Sequence, residues 1–443
     1  MLRQVVCLAF ALVLAQACSP LRRAKRVERE VLRSEVFARG ITGFALLDAE
    51  TSRLLVSVRG DTYFTPASNT KILTLAASLQ LLPDTLPALQ IRPFAAGPDD
   101  TTRYLLVRGV GDPTFLHPQF QAWQTPFQVL RQRPEPLWLC SRAERLQRFG
   151  PGWAWDDYPE DFQPERSALP VYGHLLRIEQ RASGGLEVWP PRFRDSCRAD
   201  SARSALERSE WVNHWTLPAP PTNGQKTYWA PFIPNNLPRL LADTLGKSVA
   251  WLPDSLQQHL PTDGWKTLYG TPIDTVLRRL MHQSDNFLAE QLLLMCADQR
   301  WGVFQTDTLI RWLLDSVWVG LPQRPRWVDG SGLSRYNLIS PQTLVHVLAR
   351  LWRQQPRERL FDLFPAGGRD GTLAHWYAPA PGEVPWLFAK TGTLSGVHCL
   401  SGYLVARSGR VLIFSFMHTN FVGSSSPWKR EMERLLRLLR EQY

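Results

Sequence analysis

Cysteine is scarce in this chain: six in 443 residues, four of them beyond residue 18, at Cys140, Cys197, Cys296 and Cys399. Their spacing suits neither a zinc site nor a dense disulfide framework, and a Cys140–Cys197 bridge is left open. None of the nine histidines sits in a metal motif or beside a serine in G-x-S-x-G. The sequence therefore offers no metal site and no cofactor motif. Internal repeats are absent, as is any internal apolar run long enough to span a bilayer. With 44% hydrophobic and 21% charged residues, the chain is long enough for two or three domains with real cores. Acidic residues are outnumbered 40 to 51, giving a net charge of +11 and a pI near 9.6. Nucleic acid is a poor partner, because no recognition motif accompanies the charge.

The N-terminus, "MLRQVVCLAFALVLAQACSP", is of another kind. Arg3 supplies a basic region, Val5 to Leu14 an apolar one, and "AQA" a small-residue cleavage site. Residues 1–17 read as an export signal. Cys18 would follow the cut in "LAQAC", which resembles a bacterial lipoprotein box with Ala15 where leucine is usual, so lipidation of Cys18 is expected. A basic exported protein, with "LRRAKR" after that cysteine, suits an anionic envelope or membrane surface.

Along the chain, residues 28–38 read as a helix. "ITGFALLDAE" and "RLLVSVRG" read as strands around a turn at Glu50–Ser52. From about 91 to 261 the texture is rich in proline, tryptophan and short β-type runs, with a hairpin at "HLLRIEQRASGGLEVW" and loops at "APPTNGQ" and "PFIPNNLP". From about 270 come four helices, then three strands ("PWLFAKTGTL", "HCLSGYLVAR", "RVLIFSFMHT") and a last helix. The simplest architecture is an α+β domain from both chain ends, 18–90 and 262–443, interrupted by a mainly β insertion, 91–261, divisible into two subdomains.

One stretch poses a chemical question. In "FTPASNTKILTLAASLQLL" the residues after Lys71 are apolar almost all round, as in a buried helix. A lysine there has no solvated face. Ser68 lies one turn before it, within reach of a base. Burial or a neighbouring positive charge lowers a lysine pKa toward the range in which it can take a serine proton. The pattern recurs at Ser426–Lys429, where Ser426 reads as a helix cap, so spacing alone does not decide.

Two further motifs do. "HQSDNFLAEQLL" holds Ser284-Asp285-Asn286 between two helices, and "FAKTGTLSG" holds Lys390-Thr391-Gly392-Thr393 at a strand end. Each occurs once. The ordered trio S-x-x-K, S-D-N, K-T-G resembles penicillin-binding proteins and class A β-lactamases. Ser284 follows Ser68 by 216 residues, far more than in class A β-lactamases. That interval is similar to the D-alanyl-D-alanine carboxypeptidase/endopeptidase family of penicillin-binding protein 4 type, peptidase family S13. The likeness extends over "VRGVGDPTF", "GWAWDDYPEDFQPERSAL", "WVDGSGLSRYNLISP", "GGRDGTL" and "LSGYL", nearly the whole mature chain. "PVYGH" departs from it, standing where the family has an asparagine after "SAL".

The resemblance implies a β-lactamase/transpeptidase-like domain, a periplasmic location, and peptidoglycan stem peptides and cross-links as substrates. β-Lactam antibiotics would be covalent inhibitors. Ser68 would be the nucleophile and Lys71 its base. Lys390 would hold Lys71 neutral by its charge and attract a substrate carboxylate, bound by Thr391 and Thr393. Gly392 would let the substrate backbone lie close. Backbone N–H groups of Ser68 and Thr393 would form the oxyanion hole. Ser284 would relay a proton to the leaving amine, and Asn286 would orient Lys71 and the substrate amide. Asp156 and Asp157 could meet an amino group of the stem peptide, or be solvated loop acids. Asp285 reads as a loop-holding Asx residue, "GVGDP" as a turn, and His282 as loop packing. "DGSGLSR" is either a wall of the site or a turn before a helix capped by Ser340. Half of the 18 tryptophans fall between Trp123 and Trp251; glycan stacking is conceivable, but core packing explains most tryptophans. No carboxylate base for deacylation is legible, so penicillin should leave Ser68 slowly. The rival readings are a β-lactamase or esterase on the same fold, and a non-catalytic peptidoglycan-binding envelope protein.

Overall fold

The computed structural model describes residues 23–95, 103–141, 146–260 and 262–443; the signal segment 1–17 and Cys18 lie outside them. The fold is α+β, as expected, in two compact units. The first comprises the described residues up to Ala76, then Met281–Ser284 and Trp312–Tyr443. The second comprises Ala77–Leu280 and Asp285–Arg311.

The first unit is built on a five-stranded antiparallel sheet, in the order Leu387–Leu394, Val397–Val405, Val411–Thr419, Ile41–Asp48, Leu54–Val58. The first strand of the chain pairs with the last, Ile41 opposite Thr419 through Asp48 opposite Leu412. Both chain ends therefore close one sheet. Strand Val397–Val405 is buried at every position but its last, the pattern of a strand covered on both faces. On one face the helix at residues 23–33 and the helix Ser426–Gln442 pack Val27, Val31, Leu435, Leu436 and Leu439 against Phe44, Phe414 and Phe416. On the other, Pro341–Gln354 receives the Tyr403 hydroxyl at the Leu348 carbonyl, 3.0 Å. The 28–38 helix of the sequence reading is displaced: residues 23–33 are helical, and Phe37–Arg39 form a separate short turn ended by Gly40.

The second unit holds a mixed five-stranded sheet (Val249–Trp251, Leu137–Cys140, Tyr104–Gly109, Thr85–Phe94, Lys266–Pro272) and two three-stranded ones. The expected hairpin is present as Leu175–Arg181 and Leu186–Trp189. A helix at Leu237–Leu245, which the sequence reading lacked, follows the "PNN" turn and ends at left-handed Gly246. Cys140 and Cys197 are free buried thiols, not a bridge, and burial raises them to about 11 and about 12. Core packing does not account for the tryptophans here. Trp215 is fully buried, but Trp155, Trp189, Trp211, Trp229 and Trp251 are exposed. Trp189 and Trp229 flank Arg177 in register on one face of a sheet, and both are exposed. Among the described residues no helix is long and apolar enough to cross a membrane.

The segment carrying Asp156 and Asp157 is tied down by a buried carboxylate. Glu165 accepts from Arg208, 2.6 Å, and from Arg148, 2.9 Å, and the Glu165 and Arg208 side chains are 1% and 0% exposed. Removing one partner strands a buried charge, at about 3–5 kcal/mol. Glu165→Gln is accordingly expected to lower the calorimetric melting temperature, while Asp156→Ala, at an exposed position, leaves it unchanged.

Candidate active site

Ser68 does not lie in the α-helix proper. Ala67–Thr70 form a tight 3-10 turn that runs into the helix Lys71–Leu81. Ala67 is left-handed (φ 47°), as is Ser284 (φ 58°). Non-glycine residues pay about 1–3 kcal/mol for such geometry, which persists only where the surroundings impose it. Here both aim serines at lysines. Lys71 Nζ stands 3.1 Å from Ser68 Oγ and donates to the Ser331 carbonyl at 2.7 Å. Lys390 Nζ stands 2.9 Å from Ser284 Oγ and 2.9 Å from the Thr391 carbonyl. Both lysines are fully buried. Burial, and then the charge of Lys71, holds Lys390 well below the ordinary lysine range. The repulsion is reciprocal, so each amine makes the other easier to deprotonate.

Three loops hold this arrangement. The Asn69 Nδ2 donates to the Lys390 carbonyl, 3.1 Å, fastening the serine turn to the K-T-G strand. Gly392 is required by that contact: a Cβ there would lie 2.6 Å from the Pro66 carbonyl oxygen. The sequence reading gave this glycine to the substrate backbone; the close approach observed is that of its own chain at Pro66 and Asn69. The segment "DGSGLSR" is a wall of the site and not a bare turn. Asp329 accepts from the backbone N–H groups of Gly332 (2.8 Å) and Ser334 (2.7 Å) and from Asn337 Nδ2 (2.7 Å), which presents the Ser331 carbonyl to Lys71. Gly332 is left-handed (φ 83°), and a side chain there would overlap the Ala67 carbonyl. Third, "GGRDGTL" links the other two motifs. His282 contacts Asp370 (3.4 Å) and the Asp362 carbonyl (3.0 Å), and Thr372 Oγ1 meets Thr391 Oγ1 at 2.9 Å.

The remaining predicted residues are placed as follows. Asp285 caps the helix Asn286–Trp301, accepting from Leu288 N at 3.0 Å, as its Asx reading requires. Asn286 opens that helix in the second unit, with Nδ2 on the Phe162 carbonyl, 2.9 Å. Asp156 and Asp157 sit in a short turn of the second unit; burial and the neighbouring Asp156 raise Asp157. Thr393 is exposed, lines an open pocket of about 220 Å³ beside Gly396 and Phe421, and bonds His398 Nδ1 at 2.9 Å. The competing Ser426–Lys429 pair is set apart: Lys429 lies over the Trp376 ring, 5.3 Å from its centre. Among the described residues no group of three or more His, Cys, Asp or Glu is placed to hold a metal. Sequence reasoning missed Asn69, Thr372 and His398. Asp329 and Ser331 were covered only by the two-way reading of "DGSGLSR", with no role given to either residue.

A family model described as the D-Ala-D-Ala carboxypeptidase 3 (S13) family matches residues 24–185 and 266–442. The chain is 24% identical to the D-alanyl-D-alanine carboxypeptidase DacB of Haemophilus influenzae over 86% of both chains. It superposes on the crystal structure of penicillin binding protein 4 from H. influenzae with a TM-score of 0.72 at 20% identity, covering 94% of this chain and 99% of that one. For the same protein complexed with a novel β-lactam the TM-score is 0.69 at 19% identity, with the same coverage. The fold is thus that of penicillin-binding protein 4.

Two outcomes are expected. Gly392→Ala must displace the serine turn, and a displacement of this size slows acylation by a fluorescent penicillin about 10²-fold with little change in circular dichroism. Lys390, depressed in the folded state, binds a proton less readily than in the unfolded chain. Its penalty is therefore full below its folded pKa and gone above the unfolded value near 10.4. Melting temperature should climb as pH is raised toward that value, and the climb should shrink in Lys390→Met.

Proposed function

The chain belongs to the D-Ala-D-Ala carboxypeptidase 3 (S13) family, and we propose that it is a serine D-Ala-D-Ala carboxypeptidase/endopeptidase of peptidoglycan, working through an acyl-enzyme on Ser68. The observation that carries this reading is the buried Lys71 amine 3.1 Å from the Ser68 hydroxyl. A neutral amine that gives one N–H to the Ser331 carbonyl keeps its lone pair for the serine proton. Ser68 then attacks the carbonyl of the penultimate D-alanine. The oxyanion is received by the backbone N–H groups of Ser68 and Thr393, each worth about 10²–10³ in rate. Ser284, held by Lys390, passes a proton to the leaving amine, and water resolves the ester.

The terminal carboxylate is taken by the Thr391 and Thr393 hydroxyls beside the Lys390 amine. For Asn286 we read a hold on the substrate amide, and for Asp156 and Asp157 a pairing with the free amino group of the stem peptide; these rest on the family pattern. The same pattern supports treating 91–261 as an insertion into the catalytic domain. Residues 1–17 direct export to the periplasm and Cys18 carries the lipid anchor, with the basic "LRRAKR" toward an anionic membrane surface. β-Lactams acylate Ser68 and leave slowly.

Incubation with purified muropeptides tests the reading. Free D-alanine release and separation of cross-linked dimers, scored separately, are expected for the wild type and lost in Ser68→Ala, as is covalent labelling by fluorescent penicillin. Rapid penicillin turnover would instead make the protein a β-lactamase, and absence of any label a binding protein.

A further inference from the structure

The two threonines read above as carboxylate donors have different company. Thr391 Oγ1 meets another hydroxyl, that of Thr372. Thr393 Oγ1 meets an imidazole: His398, directly opposite in register on strand Val397–Val405, with Nδ1 at 2.9 Å. A hydroxyl has a single proton. Were His398 Nδ1 to accept it, Thr393 would have none left for an incoming anion. Were Nδ1–H to donate instead, the threonine oxygen would be satisfied as acceptor and its proton free to point outward.

The surroundings choose between these tautomers. His398 is 1% exposed. Burial, and then the charge of Lys429, lowers it to about 3, so the ring is neutral and carries one N–H. His418 faces it from the neighbouring strand and has its own partner in Thr42 Oγ1, 2.8 Å from its Nδ1. Among the described residues the Nε2 of His398 has no hydrogen-bond partner. A proton placed there meets no protein acceptor, whereas on Nδ1 it meets Thr393, and an anion arriving at the threonine favours that second arrangement because only it frees the hydroxyl proton.

We propose that His398 is a positioning residue: its Nδ1–H donates to Thr393 Oγ1 and turns the threonine proton toward the terminal carboxylate of a D-Ala-D-Ala substrate or a β-lactam. Thr393, being exposed, can present that proton to a ligand. The inference rests on the assignment of Thr393 to carboxylate binding in the proposed function.

The test compares acylation rates for benzylpenicillin and its methyl ester in the wild type, His398→Phe, His398→Leu, His398→Gln, Thr393→Val and the His398→Phe/Thr393→Val double variant. Loss of a hydrogen bond to a charged group should slow the carboxylate form roughly 10- to 100-fold in His398→Phe and His398→Leu. The ester rate should hold, which also reports an intact fold. The amide donor of His398→Gln should restore most of the loss, and the double variant should be no slower than Thr393→Val alone. Retained carboxylate preference in the phenylalanine and leucine variants, or losses that multiply in the double variant, would overturn the role of His398. A wild type indifferent to the carboxylate would overturn the Thr393 assignment itself, a separate result.

Discussion

Two amines are kept out of water in one unit, each against a serine hydroxyl and a main-chain carbonyl. Two buried ammonium groups repel each other and are poorly solvated, so burial and mutual repulsion favour states with at most one of them charged. That constraint suits these residues to the proton transfers of the proposed function. It also explains the local cost the chain carries there, the left-handed Ala67 and Ser284 and a loop folded around the buried Asp329.

The sheet supplies the rigidity these amines need. Pairing of the first strand with Val411–Thr419 brings residues some 370 apart in sequence into one register, and the K-T-G strand follows at the edge. The serine turn is then attached to that edge through backbone, by Asn69 on the Lys390 carbonyl and by the close approach of Pro66 to Gly392. Side-chain positions set by main-chain contacts of this kind are insensitive to surface charge and salt, since no exposed ion pair is involved.

The side chains of the proposed mechanism were legible in sequence because each lies in a short motif whose spacing is itself local geometry. Lysine is also rare here, seven in the chain, and the two in the first and third motifs are fully buried. What a motif cannot carry is a main-chain group. The Ser331 carbonyl beside Lys71 has no signature beyond a turn-like run, and His398 acts through cross-strand register, which only the hairpin reveals. Helix Leu237–Leu245 hid behind "PNNLP", since Pro238 falls in its first turn, where proline is tolerated. Strands Thr85–Phe94 and Lys266–Pro272 hid behind prolines that break the alternation, permissible where the ladder is irregular. The exposed tryptophans defeated the expectation of core packing because aromatic content predicts burial only on average.

Gly332 and Gly392 press on the serine turn from two directions, each at a spot where hydrogen alone fits. Under the proposed function, a substitution at either codon displaces the turn that carries Ser68, so it costs cell-wall chemistry along with drug acylation. On that reading, resistance by altering this target falls to outer residues that govern how a drug arrives.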